Sequence, residues 1–526
     1  MIEITENERV VVIGGGITGL ATAALLARDG KRVTLLERGD AVGGRAGLRE
    51  RDGFRFDAGP SWYLMPEVFD HFYKLLGTTS AEQLELTPLD PGYRVFFEGR
   101  GSDTLDIRSD REKSLALFDE IEPGAGKRMA EYLDSAADTY EMAKKRFLYT
   151  TFQSFLPLLR PDVLARTPKL LRLLAEPLST FTKRYVEDPR LNQVLGYPAV
   201  FLGSSPYSTP SMYHLMSHLD LEDGVLYPQG GFVRLIETIA ELARDEGVEI
   251  VTNADVTAIL TAGGQSPAAT GVAYVDADGE ARTLNAEIVV SAADLHHTET
   301  QLLPPHLQTY PEKYWNKKTS GPGAVLLYLG VRGELPELLH HSLFFTEDWA
   351  DNFGRIFGEP TSVPDPASIY VCRPSATDDT VAPEGHENLF VLIPIPADPS
   401  IGGAGDDRVR QIGDAAIRQI AEWAGIPDLE ERIVVREEVG PADFERDLNS
   451  WKGGVLGPAH ILSQSAFFRA GNVSKKVTGL YYAGGSSIPG IGLPMCLISA
   501  ELVLKRVHGD TSTGPLPEPL IRRRQR

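Results

Sequence analysis

Cysteine is almost missing: Cys372 and Cys496 are the two in 526 residues. A disulfide framework and a cysteine-built metal site are thereby disfavoured, and a reducing compartment is expected. Positive charge is in deficit, with 52 Lys and Arg against 73 Asp and Glu, a formal net charge of -21. Nucleic acid is excluded as the main partner, because phosphate binding needs a cationic surface to displace counterions. Long hydrophobic runs are also lacking, and no window reaches the roughly 18 uninterrupted apolar residues of a spanning helix. The stretch Val10 to Ala27 is broken by Gly14, Gly15 and Gly16, and it follows Glu3, Glu6 and Glu8 where a secretion signal would be basic. A cytoplasmic protein, with peripheral contact to the inner face of the cell membrane, is expected. Metal chemistry finds little support. His214 and His218 share a helical face, but Leu215 stands where a zinc-protease motif has Glu, and the adjacent pairs His296-His297 and His340-His341 diverge.

What the chain does have is βαβ patterning. Val10 to Ile13 is strand-like, Ile17 to Ala27 helix-like and Arg32 to Leu36 strand-like again. Gly230-Gly231 opens a helix-like stretch to Ala243, followed by strand-like Val248 to Val251 and Val256 to Leu260. Near the end, Leu480 to Ala483 runs into a glycine-rich turn and a helix from about Pro494 to Val507. One α/β, Rossmann-like nucleotide-binding domain assembled from residues 1–75, 225–300 and 475–510 accounts for these three units. Residues 76–110 and 301–474 read as a mixed-sheet substrate domain, with strands near 324–331, 368–372 and 389–395. Residues 111–224 read as an inserted helical lobe, and 511–526 as a flexible tail rich in Pro and ending in Arg522, Arg523, Arg524 and Arg526.

Gly14-x-Gly16-x-x-Gly19 follows a strand and opens a helix, the context in which this spacing binds a dinucleotide. The first glycine permits the tight turn, the second lets backbone approach a pyrophosphate, and the third allows close helix packing. Ile17 and Thr18 belong to the first helical turn, whose free N–H groups face the phosphates. Glu37 ends the second strand, where a carboxylate accepts from ribose hydroxyls and repels a 2'-phosphate; Arg38 follows it.

Gly43-Gly44-Arg45 and the turn Phe56-Asp57-Ala58-Gly59-Pro60-Ser61 resemble the continuation of this motif in two-dinucleotide-binding flavoproteins. With Gly203 to Ser211, Tyr227 to Gly231, Leu462 to Arg469 and Gly484 to Pro494, the chain resembles the bacterial phytoene (carotenoid) desaturases, in order over nearly its whole length. That resemblance implies FAD as cofactor, with Arg45 and Gly44 beside the diphosphate, and Gly59, Pro60 and Ser61 near the flavin ring. It adds Val256, Gly484, Gly485, Gly492 and Leu493 to the cofactor-binding set. It also implies a long apolar carotenoid substrate, and oxygen or a quinone as the final electron acceptor. Many family members carry Thr-His before the C-terminal Pro-Gly, where this chain has Ser487-Ile488. Ser487 and Ile488 are therefore expected to line the substrate path and bear on which bond is oxidised.

Between Lys144 and Arg184, nine basic side chains stand against Asp162 and Glu176, interleaved with leucines and phenylalanines. An amphipathic cationic lobe of this kind suits an anionic bilayer surface from which a carotenoid is drawn. Asp162 and Arg160 are the polar pair nominated there for catalysis. Desaturation passes one hydrogen to flavin as hydride and loses the other as a proton. Two other readings share the architecture: an amine or porphyrinogen oxidase, and a lipid-binding carrier resembling the GDP-dissociation inhibitors. The first wants an aromatic cage or anion clamp beside the flavin. The intact glycines, Glu37 and Arg45 count against the second.

Overall fold

The computed structural model describes residues 8–101, 103–153 and 161–521, without the side chains of 161–167. Its centre is a five-stranded sheet in the order Leu480–Tyr482, Ile288–Ser291, Arg9–Ile13, Arg32–Leu36, Glu249–Val251. Every pairing in it is parallel. Parallel strands are buried on both faces and so read as continuous apolar runs, as Val10, Val11, Val12 and Ile13 do. Helix Ile17–Arg28 covers one face and is wedged against helices Phe232–Asp245 and Leu493–His508. Its Ala- and Leu-rich surface is buried through Leu26, which explains why it is apolar all round instead of amphipathic.

A separate antiparallel sheet of three strands, Asp255–Ala262, Ala268–Val275 and Ala281–Asn285, follows. Val256 belongs to it and not to the parallel sheet. The largest sheet has seven strands in the order Ile433–Val439, Gly323–Arg332, His386–Ile395, Ile369–Cys372, His341–Phe345, Tyr93–Phe97, Leu105–Ile107. It is antiparallel except where His341–Phe345 runs beside Tyr93–Phe97. Helices Arg111–Ile121, Ala125–Ala143 and Pro161–Ala175 begin the helical insert. Among the described residues no helix is long and apolar enough to cross a membrane.

The C-terminal segment departs from the expected flexible tail as far as Ile521. Buried Lys505 donates to the carbonyls of Tyr149, Ser512 and Gly514 at 2.7–2.8 Å. Leu516 N–H donates to Glu501 at 2.6 Å and Leu520 N–H to the Leu75 carbonyl at 3.0 Å. His71 is held between Glu501, at 2.9 Å, and Glu518. Proline content suggested a solvated chain, but these polar contacts and the packing of half-buried Leu516 and Leu520 against the core tie it down. Residues 522–526 lie outside the described residues.

Candidate active site

Strand Arg9–Ile13 ends in a turn that only glycine can make. Gly14 has φ +97°, and a Cβ there would come within 3.2 Å of the Ala293 nitrogen. Gly19 faces back on this turn so closely that a Cβ would lie 1.9 Å from the Gly14 oxygen. Gly16 is different: the nearest atom to its virtual Cβ is the Gly43 oxygen at 3.9 Å, and it borders open space. Helix Ile17–Arg28 starts there with no side-chain cap and no acid in its first turn, leaving its N–H groups to an anionic ligand. The Glu37 carboxylate accepts from the N–H groups of Gly15 at 2.5 Å and Gly39 at 2.7 Å, which holds it at the rim of the same space.

That space is a cavity of about 670 Å³, within the ~300–1,000 Å³ usual for ligand sites. Its walls include Gly14, Gly16, Ile17, Thr18, Glu37, Arg38, Gly44, Arg45, Gly59, Pro60, Ser61 and Val256, and Gly484, Gly485, Gly492 and Leu493 from the C-terminal turn. Gly19 stays behind the wall, in its packing role. Arg45 donates to Ser450 at 2.8 Å and Arg38 to Asn449 at 3.2 Å, so the turn around Ser450 closes the cavity over the second strand. A free helix N-terminus, an acid at the strand end, open room at Gly16 and an arginine beside them fit an adenine dinucleotide.

The cavity continues into apolar territory. Strand alternation turns Phe390, Leu392 and Pro394 to one face of the seven-stranded sheet, and Leu343 and Phe345 to the same face on a neighbouring strand. Trp62, Tyr197 and Phe201 stand across from them, with the Trp62 ring 6.0 Å from Tyr197 and 5.2 Å from Phe201. Sequence reasoning had not nominated these residues. Their signal was the period-two pattern of the strands, which becomes a site only when the sheet's exposed face meets the glycine turn.

Ser487 and Ile488 do not line this cavity. Ile488 is 4% exposed and packs in the core with the helix Ile17–Arg28. The Ser487 hydroxyl is turned inward to the Gly484 carbonyl at 3.0 Å, within reach of Asn472 at 3.3 Å. Ser486, Pro489 and Ile491 face the cavity instead. Arg469 holds this turn: it is wholly buried and donates to carbonyls of Ser487, Gln464, Pro458 and Gly485. Burial lowers its pKa to about 10, so it keeps its charge. Of the pair nominated for catalysis, Arg160 lies outside the described residues, and Asp162 is the second residue of helix Pro161–Ala175 with its side chain outside them too.

Two buried carboxyls are perturbed. Asp57 is pushed up to about 6 by burial, although it accepts from the N–H groups of Phe232 at 2.8 Å and Val233 at 3.0 Å and so caps helix Phe232–Asp245. Asp220 is pushed up to about 7 by burial, accepting from Tyr93 at 3.0 Å and Tyr197 at 3.4 Å. His340 and His341, expected to diverge, lie with rings 4.6 Å apart. Their ligand atoms and Cys372 Sγ fall within 4.8 Å of one another, a grouping that needs the cross-strand pairing of His341 with Cys372. Burial pushes the Cys372 thiol up to about 12 and keeps it protonated.

The family model described as flavin containing amine oxidoreductase matches residues 17–507. A carotenoid 3,4-desaturase of Haloarcula japonica is 41% identical over 495 residues, 94% of this chain and 97% of that protein. A zeta-carotene-forming phytoene desaturase of Myxococcus xanthus is 33% identical over 512 residues, 96% of this chain and 94% of its own length. Among solved structures, an oxidoreductase from Methanosarcina mazei shares the fold with a TM-score of 0.61 at 17% identity, over 94% of this chain and 100% of that one.

Proposed function

The chain belongs to the flavin-containing amine oxidoreductases and, within them, to the FAD-dependent carotenoid desaturases; from that premise we propose that it desaturates an acyclic carotenoid precursor such as phytoene. The observation that carries this reading is the continuity of one cavity, from the glycine turn at Gly14 to the apolar sheet face at Leu343, Phe345, Phe390 and Leu392. Bound FAD supplies a two-electron acceptor for hydride. The first-turn amides of helix Ile17–Arg28 would hold the diphosphate, Glu37 the ribose, and Arg45 the remaining phosphate charge. Gly59 to Ser61 and Gly484 to Gly492 would enclose the ring end. Leu343, Phe345, Phe390 and Leu392 would hold the polyene and keep water out, each buried methylene of substrate contributing roughly 0.8 kcal/mol. Oxygen or a membrane quinone would serve as the final electron acceptor.

Production of the protein in cells that accumulate phytoene tests the reading. Coloured polyenes should replace phytoene; a yellow, FAD-loaded protein that leaves phytoene and lycopene unchanged would overturn it.

We also propose reversible attachment to the inner face of the cell membrane. Acids outside the basic segment neutralise part of its charge: Lys144 pairs with Glu67 and Glu141, Lys145 with Glu141, and Lys169 with Asp138. Apolar contact is therefore the larger share of the attachment. Leu171 is 61% exposed and Phe468 62%, and Phe467 packs on Phe152 within the basic segment. Flotation with anionic vesicles should show binding that salt weakens without abolishing. Absence of binding at low salt would remove the proposal.

A further inference from the structure

The cavity-facing side of the seven-stranded sheet is apolar at Leu343, Phe345, Phe390 and Leu392, and Tyr370 interrupts it. Register places Tyr370 opposite Leu343 on one neighbouring strand and Leu392 on the other, so it stands among the side chains assigned to the polyene. Its hydroxyl is 2.6 Å from Ser61 Oγ and 2.8 Å from His341 Nδ1. Ser61 lies in the wall of the cavity as well, in the turn that would meet the flavin. His341 is wholly buried behind them, and its Nε2 has no hydrogen-bond partner among the described residues.

We propose that Tyr370 takes the proton lost in desaturation and relays it to His341, an inference that rests on the desaturase reading. As the electron pair of one C–H bond leaves with its hydrogen to the oxidised flavin, the neighbouring carbon gives its proton to Tyr370 Oη. The Tyr370 hydroxyl hydrogen moves to His341 Nδ1, and the electrons of the second C–H bond become the new π bond. The products are the alkene, reduced flavin and an imidazolium at His341.

Three features suit the chain to this step. His341 is uncharged at the outset, since burial and then the neighbouring His340 hold its pKa well below the usual imidazole value. It is consequently a weak base, which is enough, because hydride loss beside conjugated double bonds makes the adjacent C–H strongly acidic. Trp62 stacks on the imidazole, with centroids 4.5 Å apart and planes 13° from parallel, and an indole face attracts the cation that forms. Other candidates are placed less well. The wall acids Glu37, Asp255, Asp294, Asp443 and Asp447 belong to the dinucleotide end. Asp220 is behind Tyr93 and Tyr197, outside the wall.

The test compares FAD-loaded parent, Tyr370→Phe and His341→Gln by anaerobic flavin bleaching with phytoene and lycopene in phosphatidylcholine vesicles, in H2O and D2O. Parent bleaching should slow in D2O. Both variants should bleach about 10²-fold more slowly, the lower end for loss of a general base, and Tyr370→Phe should lose the solvent isotope effect at unchanged FAD content and melting temperature. Gln retains an acceptor for the Tyr370 hydroxyl, so rescue by His341→Gln would show a merely structural role and overturn the relay. Failure of the parent to bleach with either polyene strikes the desaturase reading instead. A substrate-free measurement decides the acceptor independently: 15N spectra of the holoenzyme should show neutral His341 whose Nδ1 signal shifts in Tyr370→Phe. Stoichiometric metal on His340, His341 and Cys372, or an unshifted signal, would overturn the proposal.

Discussion

Gly16 and Gly19 sit three residues apart in one motif, yet their substitutions should fail for opposite reasons. Gly16 has φ -70°, a conformation open to any residue, and its virtual Cβ meets nothing nearer than 3.9 Å. Gly16→Leu should therefore cost the apoprotein only about 1 kcal/mol, the loss of a favourable N-cap residue. The leucine would project into the space reserved for pyrophosphate, so flavin binding should disappear, and with it the ~4 kcal/mol that a ligand at a thousand times its Kd contributes to stability. Gly19→Ala puts a methyl 1.9 Å from the Gly14 oxygen, and Gly14 is pinned by its N–H bond to the Leu36 carbonyl at 2.8 Å. Backbone must move, at ~3 kcal/mol or more. Denaturant unfolding with and without added FAD, read beside the flavin absorbance, separates the two. Flavin retained by Gly16→Leu, or undiminished apoprotein stability in Gly19→Ala, would refute the assignment of one glycine to ligand room and the other to packing.

Other expectations follow from the same geometry. Asp220 rises from 3.8 to about 7 on folding, so the stability its carboxyl contributes is complete below pH 4 and lost as pH climbs through 7. Asp220→Asn should remove this slope, worth up to ~4 kcal/mol between those limits, and parallel unfolding curves of parent and variant across that range would contradict it. Ile488→Ala should destabilise by about 2–4 kcal/mol, as for other buried large-to-small changes, while leaving the product pattern unchanged; Ile491→Ala should alter the pattern, since that side chain faces the cavity. Chromatography of the pigments made by each variant checks the pair. Lys505→Met deprives three carbonyls of their donor and should release the C-terminal segment, seen as faster proteolysis after Asp510.

Local physics made the dinucleotide cradle legible in the amino-acid order. Gly14, Gly16, Gly19 and Glu37 act through turn geometry and helix ends, which depend on near neighbours, and the strand Val10 to Ile13 declares its burial by being apolar throughout. The strands at 324–331 and 389–395 were equally plain, because period-two and continuous apolar runs survive without context. Which face of those strands meets a ligand is not a local property. Phe390 and Leu392 became cavity residues only when the sheet closed over the glycine turn, and Trp62 joined them from a segment far away in sequence. Ile488 shows the converse: its place in a motif suggested contact with substrate, but the turn packs it into the core and sets Pro489 and Ile491 in the cavity wall. The Ser61, Tyr370 and His341 chain is assembled from residues 309 and 29 positions apart. Sequence by itself determined the glycine turn and helix end proposed to hold the cofactor, since backbone conformation and helix ends are set within a few residues. Tertiary structure decided the apolar cavity wall proposed for the substrate and its polar interruption, since contact between distant strands is set by register and packing.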